Sequence, residues 1–198
     1  MKSQRKNQSS RSAIAAGVFI ALYLVTYVII GVICMPVAVL FLIMPEAVAF
    51  FAAPTYHMML TKSPGGAPIF IAAILPSIVL IASGHIPIAP LVAVPSGILA
   101  LLIARHGGYR NFKWNTISHM FFSWNLFGGF VPIWFMRDYF FQTILEGGMS
   151  QVFCDTVRAL TPWWMLLVMM TATVVCSLLG SMFTRKVLYK HLEKAGVV

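Results

Sequence analysis

Charge is kept out of most of this chain. Apolar runs near 12–33, 37–60, 67–83, 86–104, 115–136 and 162–187 take up most of the 198 residues, and nearly all charged side chains fall in the intervals between them. A bilayer core of roughly 30 Å is crossed by about 20 apolar residues in a helix. Inside it every backbone N–H and C=O has to be bonded within the segment. The runs therefore predict an all-α membrane protein, one domain over residues 1–198, with six transmembrane helices. Six crossings place both termini on the same side.

The intervals also give an orientation. Of the 14 Lys and Arg, all but Arg137 and Arg158 lie before the first run, between the second and third, between the fourth and fifth, or at and beyond the end of the sixth. Such a bias predicts cytoplasmic N and C termini and an extracytoplasmic segment 137–161. The net charge of +9 is then an orientation signal, which argues against a nucleic-acid partner because no soluble domain gathers it into a patch. The first run is too long for a signal-peptide core and has no small-residue cleavage site, so it is expected to stay as a helix. Cys34, Cys154 and Cys176 are odd in number and lack CxxC spacing, which argues against a disulfide framework or structural zinc.

Segment 137–161 is long enough to fold by itself. Asp138 is placed to cap a short helix through Leu145, Gly147-Gly148 to break it, and Ser150 to cap a second helix through Leu160. On that second helix Val152, Phe153, Val157 and Leu160 are expected to share an apolar face, with Gln151, Asp155 and Arg158 toward water. The pattern fits a lid over the outer mouth of the bundle or a helix lying on the bilayer surface.

Several residues are candidates for chemistry. Ala13, Gly17 and Ala21 form a small-residue stripe on the first helix, suited to close approach of another helix from this bundle or from a partner. Glu46 is the acidic residue deepest in a predicted span, which makes it a candidate for ligand or proton contact or for a neutral bond to a neighbouring helix. Trp124, Asn125, Trp134, Arg137, Asp138 and Tyr139 converge with Trp163 and Trp164 at one membrane level. Aromatic walls with a few polar groups suit a small-molecule site, while Trp and Tyr also populate ordinary interfacial belts. Arg137 is suited to an anionic ligand group or to a local acid. His85, in the tight uncharged turn after the third run, is solvated or supplies an axial nitrogen to a haem-type ligand, with Met35 or Met165 as a softer partner. The sequence contains no GxxxxGK[ST], HExxH or GxSxG and no paired carboxylates in a span. ATP hydrolysis, zinc proteolysis and serine hydrolysis thus have no recognisable machinery, and the chain is not expected to be an enzyme.

The runs Pro132-Ile-Trp-Phe-Met-Arg-Asp-Tyr-Phe140, Ala159-Leu-Thr-Pro-Trp-Trp-Met165 and Lys190-His-Leu-Glu-Lys-Ala-Gly-Val-Val198 resemble the Trep_Strep family of bacterial integral membrane proteins. That family in turn resembles the substrate-binding S components of energy-coupling-factor (ECF) transporters. The resemblance implies a six-helix subunit in the bacterial cell membrane that binds a vitamin-like or haem-type micronutrient from outside. It also implies association with a transmembrane coupling subunit and two ATPase subunits. Ala13, Gly17 and Ala21 match an AxxxA-like docking stripe, with Gly where Ala is usual. Competing expectations are an autonomous membrane enzyme acting on a lipid-linked substrate and an assembly subunit of a larger complex.

Overall fold

The computed structural model describes the backbone of residues 2–194 and the side chains of residues 10–187. It is 84% helical, with no strand among the described residues. Eleven helices and one 3-10 segment follow in order: α1 Lys2–Cys34, α2 Ala38–Leu42, α3 Met44–Phe51, α4 Ala53–Lys62, α5 Gly66–Ala82, α6 Ala89–His106, α7 Phe112–Phe122, the 3-10 segment Ser123–Gly129, α8 Pro132–Phe135, α9 Arg137–Glu146, α10 Gln151–Leu160 and α11 Trp163–Lys194.

Among the described residues three stretches are long and apolar enough to cross a bilayer: Ser10–Cys34, Ala89–His106 and Trp163–Val187, with Gly66–Ala82 as a shorter apolar helix. The two remaining runs are segmented. Run 37–60 is divided among α2, α3 and α4, with Pro45 and Pro54 in the first turns of α3 and α4. Proline has no N–H to give and is tolerated at a helix start. Around these joints the ladder continues through Ala47 N to Ile43 O at 3.1 Å and Tyr56 N to Ala52 O at 3.0 Å. Run 115–136 passes from α7 into the 3-10 segment at Ser123 and into α8 at Pro132.

Small residues and buried hydroxyls hold the helices together, as expected where lipid supplies no hydrophobic drive for association. A Cβ on Gly180 of α11 would lie 2.5 Å from the carbonyl oxygen of Phe50 on α3, so these two backbones touch. Tyr56 and Ser118 share a hydrogen bond of 2.6 Å between α4 and α7, and Ser118 donates to Ala100 O on α6. His57 meets Ser181 at 3.0 Å and His119 meets Ser177 at 2.6 Å, fastening α4 and α7 to one face of α11. Ser12 and Ser63, 3.0 Å apart, bring the start of the described part of α1 to the end of α4. Arg185 lies over the ring of Phe112. These contacts gather Arg11, Lys62, Lys113 and Arg185 at one end of the bundle, and α9 and α10 cover the other.

The cover differs in detail from its sequence reading. Ser150 does cap α10, accepting from Phe153 N at 3.2 Å. Met136, rather than Asp138, occupies the cap position of α9, and it makes no side-chain cap bond. Phe153, Cys154 and Val157 form the buried face of α10, whereas Val152 is 75% exposed. At 100° per residue Cys154 completes that face better than Val152, because its small thiol fits against the body of the protein.

Candidate functional site

Two turns of the same type build the centre of the site. α5 ends at Ala82, with Ser83 as its cap and Gly84 at φ 86°. The N–H of Gly84 reaches Ile81 O and that of His85 reaches Leu80 O, both at 3.0 Å. This is the paired closure of a Schellman motif, in which the left-handed position favours glycine. α9 ends the same way. Gly148 has φ 93°, its N–H bonds Leu145 O, and Met149 N bonds Ile144 O. The chain reversal therefore delivers His85 and Met149 at equivalent positions, each just past a helix end.

Both residues line two adjoining cavities beneath the cover, of about 250 Å³ and 410 Å³. Met35, Leu80, Ser83, Gly129, Phe140 and Ile144 are common to both. The larger extends along α1 past Tyr27 and Gly31 to Phe41, Met44 and Phe153. Phe41 joins floor to cover, stacked on Phe130 at 4.8 Å and edge-on to Phe153 at 5.6 Å. The walls are thus apolar and aromatic with a few polar groups, the composition of a small-molecule pocket.

The polar corner has a defined chemistry. Ser83 Oγ lies within 3.0 Å of Val79 O and 2.9 Å of Leu80 O, and 3.0 Å from His85 Nδ1. A hydroxyl has one proton. Ser83 accepts from Nδ1–H when that proton goes to a backbone carbonyl, and donates to Nδ1 when the ring carries its hydrogen on Nε2. A hydrogen bond of this kind fixes ring orientation in donor histidines. Thioethers of Met35 and Met149 share the same walls, whereas Met165 is elsewhere.

The other residues singled out from sequence have different surroundings. Trp134 is buried and donates from Nε1 to Pro162 O at 3.0 Å. Arg137 donates to Thr161 O at 2.9 Å, to Arg158 O and, at 3.4 Å, to Ile133 O. Its guanidinium also lies 5.6 Å from the Phe141 ring centre. Together Trp134 and Arg137 fasten the start of α9 to the end of α10 and the start of α11. Asp138 is exposed and 4.0 Å from Arg158, and Tyr139, Trp163 and Trp164 are also exposed. Trp124 points at Met170 O on α11, 3.4 Å away. Asn125 is buried, donating to Phe122 O and exchanging a bond with Tyr23 of α1. None of these eight side chains lines the cavities, although Gly128, Gly129, Pro132 and Phe140 from the same stretch of sequence do.

Glu46 Oε1 accepts from Thr173 of α11 at 3.4 Å, and its Oε2 is buried without a partner. It is near the cavity in sequence, two residues beyond Met44, but does not line it. Ala13, Gly17 and Ala21 are all exposed, and a Cβ on Gly17 would meet nothing within 4 Å. The stripe is therefore not used for packing within this bundle. The described residues contain no cluster of three or more His, Cys, Asp or Glu side chains placed to hold a metal ion.

An all-helical body with three bilayer-length apolar helices defines an integral membrane protein. Residues 10–194 match the family model of the hypothetical bacterial integral membrane proteins called Trep_Strep, and the chain belongs to that family. Neither the curated proteins nor the solved structures contain a match to it.

Proposed function

We propose that this chain is the membrane-embedded substrate-binding subunit of an ECF-type importer in the bacterial cell membrane. The observation that carries the reading is the covered, aromatic-walled cavity at the end of the bundle opposite the cationic end. In this reading α1, α2–α4, α5, α6, α7–α8 and α11 are the six crossings, the cationic end and both termini are cytoplasmic, and α9–α10 form the outer lid.

The ligand is a small planar amphiphile of vitamin or haem type. Phe41, Phe130, Phe140 and Phe153 provide flat apolar surfaces. His85 Nε2 and the Met35 and Met149 sulfurs supply soft donors suited to a metal-centred tetrapyrrole. In place of the tryptophans and Arg137, the cavity wall makes the main contacts, and Trp134 with Arg137 holds the lid shut over it. The chain itself is not an enzyme. Transport energy comes from a coupling subunit with two ATPases, docked on the outward stripe Ala13, Gly17 and Ala21.

The test is co-expression with the candidate coupling and ATPase subunits. Gly17→Leu faces open space, so stability is expected to change by less than about 0.5 kcal/mol. The leucine variant should lose the complex on affinity purification and keep its ligand. Wild-type recovery of the complex with Gly17→Leu refutes the docking face. Failure of the wild-type chain to recover any ATPase subunit refutes the importer reading.

A further inference from the structure

A second groove, of about 520 Å³, lies between α7 and α11 at the cationic end, far from the lid. Its lining changes character along its length. Lys113 is in the first turn of α7, and Met120 is seven residues further on. Leu178 and Arg185 are separated by the same seven residues on α11, in the opposite sense. At 1.5 Å per residue both cations therefore lie about 10 Å nearer the helix ends than the apolar pair. Ile117 joins Met120 and Leu178 in the apolar part.

α11 carries no charged residue from Trp163 to Thr184 and then Arg185 and Lys186 in succession, which sets the groove's two cations at the level where polar headgroups meet hydrocarbon. They have no protein counterion among the described residues. The chain's acidic residues are Glu46, Asp138, Glu146, Asp155 and Glu193, and the ion pair found joins Arg158 to Asp138 at the lid end. Arg185 is held over the Phe112 ring at 5.6 Å, so its charge is positioned beside the groove.

We infer that this groove binds an anionic phospholipid, with its phosphodiester between Lys113 and Arg185 and its first methylenes along Ile117, Met120 and Leu178. Two cations favour an anion and a guanidinium matches phosphate oxygens geometrically. The apolar floor selects an amphiphile over a soluble phosphate. Basic pockets between helices at the membrane surface recognise lipid headgroups by the same combination. The inference does not depend on the importer reading.

Native mass spectrometry of the full chain in detergent, titrated with phosphatidylglycerol and phosphatidylcholine of matched acyl chains, tests it. The wild type is expected to bind phosphatidylglycerol about 30-fold more tightly, the scale for two cations at a membrane surface. Lys113→Ala with Arg185→Ala should bring the ratio near one, while Lys113→Arg with Arg185→Lys keeps the preference. Lys62→Ala with Arg110→Ala removes the same charge from the same end and should leave the preference intact. Excess glycerol phosphate should not displace the bound lipid. Equal binding of the two lipids, a preference that survives the double alanine variant, its loss in the charge-conserving variant, an equal loss in the Lys62 and Arg110 control, or displacement by glycerol phosphate would each overturn the site.

Discussion

Removing the Arg137 guanidinium should open one seam of the α9–α10 cover and leave the bundle intact. The group joins the start of α9 to the end of α10 through Thr161 O at 2.9 Å and Arg158 O, with a longer contact to Ile133 O at 3.4 Å. Hydrogen bonds from a charged donor contribute about 1.5–3 kcal/mol each. Arg137 is half-exposed and water replaces part of each bond in the open state, so the two shorter ones together come to about 2 kcal/mol after that discount. Arg137→Ala should then raise the opening equilibrium of α10 about 30-fold. Hydrogen–deuterium exchange read on peptides covering Gln151–Leu160 reports that opening, with α6 as the internal control. Arg137→Lys keeps the charge without the planar fork and should restore less than half of the protection. Ligand release should quicken whatever the ligand's charge, which separates a latch from an anion-binding role. Unchanged exchange in α10, or an equal rise across α5 and α6, would refute the latch.

Two further outcomes follow from the packing and from the charge pattern. Gly180→Ala places a methyl group 2.5 Å from Phe50 O and 2.9 Å from its Cα, a backbone clash that α11 and α3 must separate to relieve. A loss of about 1–3 kcal/mol is expected, seen as a lower thermal midpoint in detergent, and an unchanged midpoint would show that the helices are not in backbone contact. For orientation, a chain with Cys34, Cys154 and Cys176 replaced should accept a membrane-impermeant thiol reagent in intact cells at a cysteine placed at 148 and not at 110. The opposite labelling would invert the model. Cys154 needs replacing only as a precaution, since it is buried and its burial pushes the thiol pKa up.

Helix class, the apolar runs and the capped second lid helix were legible in the sequence because each depends on local signals. Ser150 before an amphipathic stretch is such a signal. Run 37–60 reads as one span in the sequence, and its local break signals are Pro45 and Pro54 in the first turns of α3 and α4. The division of the aromatic residues was not, because composition cannot separate a tryptophan that donates to a buried carbonyl, like Trp134, from one exposed on a helix start, like Trp163. Arg137 is a similar case. Its partners are backbone carbonyls at 158 and 161, which carry no side-chain signature, so an anionic ligand group was an equally good partner on paper. The cavity itself draws on residues near 27–35, 80–86, 128–132 and 140–153. These meet only through helix packing, and no motif announces them. Residue chemistry in the sequence singled out His85 with Met35 or Met165, and of these His85 and Met35 line both cavities while Met165 does not.

In the proposed function the covered cavity holds a small molecule. Native mass spectrometry of the chain purified from its bacterial membrane, with the visible spectrum of the same sample, tests it most directly. A retained adduct of a few hundred daltons is expected in the wild type, and Ser83→Trp, which fills the wall shared by both cavities, should remove it without changing the folded yield. If the adduct is haem, His85→Ala should shift its Soret band. An adduct that persists in Ser83→Trp at wild-type occupancy, or a wild-type protein that retains nothing and binds no planar amphiphile when offered one, would contradict the account.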